Sequence, residues 1–292
     1  MKAMILAAGL GTRLRPLTDT RPKALVEISG RTLLEITLTR LRSFGINEVI
    51  VNVHHFAGLV VDYLKSHNNF GMHIEISRED DLLLDTGGGL KKASWFFLED
   101  TSHGTDSQPA KSKAKGVIPS EARNPGRASA QSRADQALLA SANPNEPFLL
   151  HNVDVISTID FRRMLQFHNE HGALATLAVQ SRASSRLLLF NEQNQLVGRA
   201  AGQESVSSSN SPLATQHAPL PLAFSGIHII SPRLLPMLTE TGVFSIIDSY
   251  LRLVAQGEKI LAFRADEYYW RDLGRPADLS QAAFDLQQKI HL

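Results

Sequence analysis

Apolar runs of strand length alternate with helical segments along the first 180 residues of the chain. In the helical segments the apolar residues recur every three or four positions, as Leu34, Leu38 and Leu41 do. Strands that alternate with helices are typical of a parallel sheet covered by helices. We therefore expect an α/β fold with a doubly wound, mostly parallel central sheet. The predicted strands are 3–8, 49–53, 74–76, 148–150 and 173–179, with helices at 34–44, 57–66 and from Phe161 to His168.

The pattern resumes in the last third of the chain after two interruptions. Residues 101–147 carry no aromatic residue and no sustained apolar stripe, so we expect a mobile, low-complexity surface insertion there. The serine-rich stretch 205–211 is expected to be an exposed loop. Beyond it we predict strands at 223–230, 260–263 and 268–274, helices at 233–239 and 244–256, and a last helix from Pro276. The simplest organisation is a single domain spanning residues 1–292.

Composition narrows the class of protein. The chain has 292 residues, 43% of them hydrophobic, which is enough for a large core. Its 30 basic and 29 acidic residues nearly cancel, so the overall charge indicates neither a nucleic-acid partner nor an anionic membrane. The absence of cysteine excludes disulfides, thiol nucleophiles and thiolate metal sites. The N-terminal apolar run is too short for a secretory signal, and no stretch approaches the ~20 apolar residues of a spanning helix. We expect a cytoplasmic protein.

A glycine turn with basic residues follows the first predicted strand. Gly9 and Gly11 would let backbone N–H groups approach a ligand closely, and Arg13, Arg15 and Lys23 would donate charge-assisted hydrogen bonds. This composition suits a polyphosphate. The turn does not fit the dinucleotide fingerprint, whose third glycine would fall at Leu14. It does not fit the P-loop either, because Thr12-Arg13 follows Gly11.

Two aspartates, Asp154 and Asp272, stand at the ends of apolar strands. Open α/β sheets gather their ligand sites at such strand ends. Carboxylate oxygens are the ligands that Mg²⁺ prefers, and one or two carboxylates with substrate phosphates suffice to hold it. The two aspartates and the basic turn together predict a magnesium-assisted phosphate site.

These motifs resemble a known family. Gly9 to Thr18, followed by Arg21-Pro22-Lys23, is similar to the signature of sugar-1-phosphate nucleotidyltransferases, and Asn152-x-Asp154 and Trp270 to Gly274 resemble their two metal motifs. Asp85 to Gly89 together with Asn52 to His55 looks most like the N-acetylmuramate-1-phosphate uridylyltransferases of that family. The resemblance implies a Rossmann-like, GT-A-like fold. It also implies that residues 1–100 and 148–180 form the nucleotide-binding core and 181–292 the sugar-phosphate part.

The resemblance assigns roles to residues of this chain. It implies that Arg13, Lys23 and Asp154 are catalytic and that Asp154 and Asp272 hold Mg²⁺. Asn152, Ser225 and Gly226 would bind the sugar phosphate. The residues implied to bind the nucleotide are Ala8, Gly9, Gly11, Thr12, Arg13, Lys23, Gly87 and Gly88. Two positions depart from the family pattern: Val153 replaces a glycine, and Arg275 replaces a small polar residue.

The implied reaction joins a nucleoside triphosphate to a sugar 1-phosphate and releases pyrophosphate. The resemblance favours UTP with N-acetylmuramate 1-phosphate, in cell-wall sugar recycling. The pairs GTP with mannose 1-phosphate and dTTP with glucose 1-phosphate stay open. So does a different class of function, a catalytically silent regulatory subunit that only binds nucleotide or sugar phosphate. The sequence predicts no oligomeric state.

Overall fold

The computed structural model describes residues 1–98, 146–200 and 218–288. The predicted insertion, apart from its last two residues, and the serine-rich stretch 205–211 lie outside the described residues. The strands are β1 (Ala3–Leu6), β2 (Glu27–Ile28), β3 (Arg31–Thr32), β4 (Glu48–Val53), β5 (His73–Arg78), β6 (Phe148–Asn152), β7 (Val155–Ser157), β8 (Ala175–Gln180), β9 (Leu187–Phe190), β10 (Leu196–Arg199), β11 (Leu220–Ile230), β12 (Ile260–Arg264) and β13 (Trp270–Asp272). The α-helices are α1 (Leu33–Ser43), α2 (Ala57–Ser66), α3 (Asp85–Lys92), α4 (Trp95–Leu98), α5 (Phe161–His171), α6 (Ile246–Ala255) and α7 (Pro276–Gln288).

One large mixed sheet organises the described part of the chain. Its strands run in the order β10-β9-β11-β6-β1-β4-β5, and β8 pairs with both β11 and β12. The pairings β6-β1, β1-β4, β4-β5 and β8-β12 are parallel. The long strand β11 runs antiparallel to β6, β8 and β9, so it joins the parallel core to the edge of the sheet.

Helices cover both faces of the sheet. Helices α1, α2, α5 and α7 pack with Ala3 and Ile5 in one buried cluster, whereas α3, α4 and α6 pack with Met4 in the other. Alternate residues of β1 thus enter opposite cores, as the period of two in a strand requires. A strand buried on both faces is apolar throughout, which is why 3–8 was recognisable in the sequence. The predicted α/β fold with a doubly wound sheet is confirmed.

Local signals set several element ends. Thr32 caps α1, with its hydroxyl accepting from the Glu35 N–H at 3.0 Å, and Asp160 caps α5 by accepting from the Arg162 N–H at 2.8 Å. Strand β1 ends at Leu6 rather than at residue 8, because the Ala7 N–H bonds to the Asn52 side chain instead of continuing the ladder. Within the described residues, no helix combines the length and the apolar character needed to cross a membrane.

Candidate active site

Three parallel strands end at the same edge of the sheet and define the site. Leu6, the last residue of β1, pairs with Asn52 of β4 on one side and with Asn152 of β6 on the other. The segments that follow these strands therefore emerge side by side. They carry the glycine turn and Asp154, which is the convergence expected of parallel strand ends.

The glycine turn is held by its own side chains. Gly11 has φ +64°, and a methyl group added there would lie 2.9 Å from the Thr18 side chain, so this position requires glycine. The Thr18 hydroxyl donates to the Gly11 carbonyl at 2.9 Å. A 3₁₀ turn at Thr12–Leu14 follows, with Leu14 fully buried and both Thr12 and Arg13 exposed. Burial of Leu14 thus anchors a turn whose polar residues face solvent.

Lys23 reaches the end of β6. It lies in a second 3₁₀ turn, Lys23–Leu25, and its side chain is only 9% exposed. Its ammonium group donates to Oδ2 of Asp154. A lysine held this deep requires a carboxylate partner, because an unpaired buried charge is costly. The pair brings two of the three predicted catalytic residues into contact.

A short antiparallel ribbon brings Asp272 to Asp154. Strand β13 pairs with β7 so that Asp272 lies opposite Val155, and the Leu273 N–H donates to the Asp154 carbonyl at 2.8 Å. Arg13 also enters this region. A methyl group added at Gly274 would lie 2.6 Å from Arg13 Nη2 and 2.9 Å from Asp272 Oδ1. The structure therefore brings Arg13, Lys23, Asp154 and Asp272 together, as the sequence predicts.

The charge balance at this ribbon favours a cation. Burial, and then the neighbouring Asp154, raise the pKa of Asp272, while Lys23 and Arg13 act in the opposite direction. Oδ1 of Asp272 is buried and has no hydrogen-bond partner among the described residues. Among all the residues that the structure describes, no three or more histidine, cysteine or acidic side chains are grouped so that they could hold a metal ion. A pair of hard oxygen donors with one unpartnered atom nevertheless fits Mg²⁺, which completes its shell with water and phosphates.

Two adjoining cavities open at the strand ends. The first, which we call the strand-end cavity, has a volume of about 360 Å³. It is lined by Leu6, Ala7, Ala8, Gly9, Lys23, Asn52, Leu83, Asp85, Thr86, Asn152, Val153, Asp154 and Val243. The second, the adjacent cavity, has a volume of about 450 Å³ and shares Asp85, Thr86 and Asn152 with the first. The shared lining residues place the two cavities side by side at Asn152.

The remaining predicted binding residues lie around these cavities in different ways. Gly87 and Gly88 are buried, and their N–H groups donate to the Phe244 carbonyl at 3.0 and 3.3 Å. Ser225 is fully buried and lines neither cavity. Gly226 approaches Asn152 so closely that an added methyl group would lie 2.8 Å from its Nδ2. The ligand contacts assigned to these four residues by resemblance stay predictions.

The two departures from the family pattern are placed differently. Val153 is 4% exposed and packs in the buried cluster beneath the turn, with its N–H donating to the Leu6 carbonyl at 3.1 Å. This hydrogen bond extends the pairing between β6 and β1 by one residue beyond Asn152. Arg275 is exposed, directly before α7.

A buried polar chain that the sequence analysis did not identify supports the site. Asn52 accepts the Ala7 N–H at 2.7 Å and donates to Glu79 Oε1 at 2.7 Å, and Glu79 Oε2 accepts the Leu84 N–H at 2.9 Å. Glu79 is 1% exposed and Asn52 is 3% exposed. The chain connects the start of the glycine turn to the residue before α3. The available signal was the position of Glu79 directly after a strand, the same signal that marked Asp154.

Comparison with known proteins agrees with this geometry. Residues 2–105 match the nucleotidyl transferase family. The chain is 50% identical over 93 residues to an N-acetylmuramate alpha-1-phosphate uridylyltransferase of Caulobacter vibrioides, a match covering 31% of this chain and 38% of that one. It is 26% identical over 297 residues to a UTP–glucose-1-phosphate uridylyltransferase of Synechocystis, covering 97% of this chain and 62% of that one. The chain thus spans less than two thirds of the length of these relatives.

Solved structures share the fold. A UDP-glucose pyrophosphorylase complexed with UDP-glucose aligns with a TM-score of 0.65 at 17% identity, covering 99% of both chains. HddC from Yersinia pseudotuberculosis, complexed with GMP-PN, aligns with a TM-score of 0.63 at 17% identity, covering 98% of this chain and 99% of that one. At this level of identity the matches show a shared fold.

Proposed function

We propose that this chain, a member of the sugar-1-phosphate nucleotidyltransferase family, transfers a uridylyl group from UTP to N-acetylmuramate 1-phosphate. The products are UDP-N-acetylmuramate and pyrophosphate. The observation that carries the proposal is the convergence of Arg13, Lys23, Asp154 and Asp272 at one edge of the sheet, beside two adjoining cavities.

Positioning and charge account for the chemistry. An oxygen of the sugar phosphate attacks the α-phosphorus of UTP in line, a new O–P bond forms, and the bond from the α-phosphorus to the pyrophosphate oxygen breaks. The attacking phosphate is already ionised, so no general base is required. Two highly charged anions repel each other, and cations at the site offset that repulsion.

Each residue of the site has a separate role in the proposed reaction. Gly9 and Gly11 present the turn backbone to the triphosphate, and Arg13 binds the departing pyrophosphate oxygens. Lys23 offsets charge at the α-phosphate. Asp154 and Asp272 would hold Mg²⁺, which supplies positive charge beside the reacting phosphates when bound. Asn152, at the boundary of the two cavities, orients the sugar phosphate.

The choice of substrates rests on relatives. The Caulobacter uridylyltransferase shares 50% identity over its matched stretch, and a second N-acetylmuramate alpha-1-phosphate uridylyltransferase, from Neisseria meningitidis, shares 42% over 93 residues. Identity over nearly all of this chain to a UTP–glucose-1-phosphate uridylyltransferase and a mannose-1-phosphate guanylyltransferase is lower, at 25–26%. The higher identity of the shorter matches favours UTP and N-acetylmuramate 1-phosphate over the alternatives.

A substrate panel tests the proposal. The purified chain is incubated with Mg²⁺, with UTP, GTP or dTTP, and with the 1-phosphates of N-acetylmuramate, N-acetylglucosamine, glucose and mannose, and pyrophosphate release is measured. We expect the highest kcat/KM with UTP and N-acetylmuramate 1-phosphate. A maximum with GTP and mannose 1-phosphate, or with dTTP and glucose 1-phosphate, would replace this assignment with the corresponding one. Tight nucleotide binding without pyrophosphate release would instead identify a regulatory subunit.

A further inference from the structure

Two arginines line the adjacent cavity and have no place in the mechanism above. Arg186 directly precedes β9 and Arg199 ends β10. Arg199 pairs with Leu188, which is two residues after Arg186, so the three side chains lie on one face of the sheet. Leu188 also lines the cavity. Two guanidinium groups therefore approach the cavity from neighbouring strands.

The arginines are displaced from the phosphate-binding edge. Strands β9 and β6 lie one after the other along the same side of β11, and β8 pairs along the other side. Strand β10 pairs with the far side of β9. Leu187 faces Ala223 and His151 faces Ile227, four positions farther along β11, so at about 3.3 Å per residue the start of β9 lies roughly 10–13 Å from the end of β6. That span matches a hexose 1-phosphate with a substituent, when its phosphate lies beside Asn152. The arginines are then placed for the far end of the sugar rather than for the phosphate.

The charges of both arginines are accessible to a ligand. Arg199 Nη1 pairs with Asp248 Oδ1 at 3.0 Å, but the two side chains are 62% and 52% exposed, and exposed pairs of this kind contribute little. Among the described residues, no carboxylate forms an ion pair with Arg186. Among the described residues that line this cavity, Asp85 is the one that is acidic, and Asp248 is not part of the lining. A ligand anion can bind Arg186 and compete with Asp248 for Arg199.

We propose that Arg186 and Arg199 bind a carboxylate substituent of the sugar and thereby select acidic sugar phosphates. The guanidinium group matches a carboxylate with two parallel hydrogen bonds, whereas neutral sugar hydroxyls gain little from a cation. N-acetylmuramate carries a carboxylate on its lactyl ether, and N-acetylglucosamine is the same sugar without it. This inference rests on the proposed function and assigns its sugar specificity to two residues.

Paired substrates test the assignment. The preference ratio is kcat/KM for N-acetylmuramate 1-phosphate divided by kcat/KM for N-acetylglucosamine 1-phosphate, both with UTP. We expect Arg186→Ala and Arg199→Ala each to lower this ratio about tenfold or more, because each removes a charge-assisted contact. Turnover of N-acetylglucosamine 1-phosphate should change less than twofold. Arg186→Lys, which retains the charge, should recover part of the ratio.

The test has a matched control variant and two results that would contradict the inference. Arg163→Ala removes another exposed, ion-paired arginine, 61% exposed, and should leave the ratio unchanged. An unchanged ratio in both cavity variants would overturn the inference. So would an equal loss with both sugars, because the arginines would then contact a group that both substrates share. Failure of the proposed function is distinct, since the unmodified chain would then release no pyrophosphate with either sugar.

Discussion

The ion pair between Lys23 and Asp154 links the turn that we propose binds phosphate to the aspartates that we propose bind metal. Both side chains are largely buried, at 9% and 23% exposure, so the pair is screened less by solvent than the surface pairs of this chain. Without a nucleotide, Lys23 neutralises Asp154. In the proposed reaction, the same ammonium group would share its charge with the α-phosphate of the bound triphosphate.

Replacement of Lys23 tests this role at the residue scale. Lys23→Met keeps the apolar stem and removes the charge, and we expect kcat/KM for UTP to fall about 10²–10³-fold, the usual cost of a lost transition-state contact. Initial rates of pyrophosphate release measure the effect. Lys65→Met is a matched control on the exposed face of α2 and should retain full activity. A loss of less than threefold for Lys23→Met would contradict the assigned role.

Buried histidines make the stability of the fold depend on pH. Burial lowers the pKa of His168 to about 4, and its ring bonds to Thr176 Oγ1 at 3.0 Å and to Ser231 Oγ at 2.9 Å. Burial likewise lowers the pKa of His151 to about 4 and that of His228 to about 3. The unfolded chain binds protons on these rings near pH 6.5, whereas the folded chain does not. The contribution of the neutral rings to the free energy of unfolding is therefore complete above pH 6.5, and it is lost as the pH falls toward 4.

Unfolding by urea at pH 7.5 and pH 5.0 measures this dependence. A histidine whose pKa is 6.5 in the unfolded chain and about 4 in the folded chain lowers the free energy of unfolding by about 2 kcal/mol between pH 7.5 and pH 5.0. We expect His168→Gln to reduce the loss of unfolding free energy between the two pH values by about 1–2 kcal/mol. His171→Gln, on the exposed side of the same helix, should leave the loss unchanged. Equal pH dependence in all three proteins would show that His168 does not titrate as described.

At the scale of elements, strand ends explain which site residues were predictable. Asp154 follows a strand that pairs in parallel with β1, so an apolar run and its direction suffice to place it beside the glycine turn. Asp272 reaches the same point through the ribbon of β7 and β13, elements of three residues each. Pairing between such short, distant segments has no signature in hydrophobic periodicity. The position of Asp272 at the end of an apolar strand marked it as a candidate ligand, but hydrophobic periodicity did not show that its strand pairs with β7.

The packing of α3 against the start of α6 gives a test at this scale. A methyl group added at Gly87 would lie 2.4 Å from the Phe244 ring and 3.0 Å from the Ile246 nitrogen. We expect Gly87→Ala to lower the free energy of unfolding by about 1–3 kcal/mol, because overpacking displaces the 242–246 segment. Gly58→Ala in α2 meets no atom within 4 Å and should raise it by about 0.5–1 kcal/mol. Chemical denaturation of both variants measures the contrast, and equal stabilities would contradict this packing.

At the scale of the whole molecule, the two-sided α/β sheet was predictable from the sequence. Alternating strands and helices and the fully apolar β1 were sufficient for that. The antiparallel course of β11 was not predictable, because periodicity reports burial and not direction. That reversal brings β9 and β10 to the side of β6 and so creates the adjacent cavity. The adjacent cavity is therefore a product of the strand topology.

Some residues around the site could be identified from the sequence, and others only from the structure. The glycine turn, Lys23 and Asp154 were identifiable because composition and strand-end position both indicated phosphate chemistry. Glu79 and Asn52 act through buried hydrogen bonds between segments, and Arg186 and Arg199 become neighbours only when β9 and β10 pair. No local pattern reports such contacts. Assembly of the cavity from distant segments thus requires the structure.

The most direct measurement of the central claim is magnesium-dependent pyrophosphate release from UTP and N-acetylmuramate 1-phosphate by Asp154→Asn and Asp272→Asn. Each substitution keeps the shape of the side chain and removes a charge that would hold the cation. We expect rates about 10²–10³-fold below those of the unmodified chain, with thermal unfolding little changed. Asp62→Asn, on exposed α2, should retain full activity. Near-normal turnover by both site variants would contradict the account.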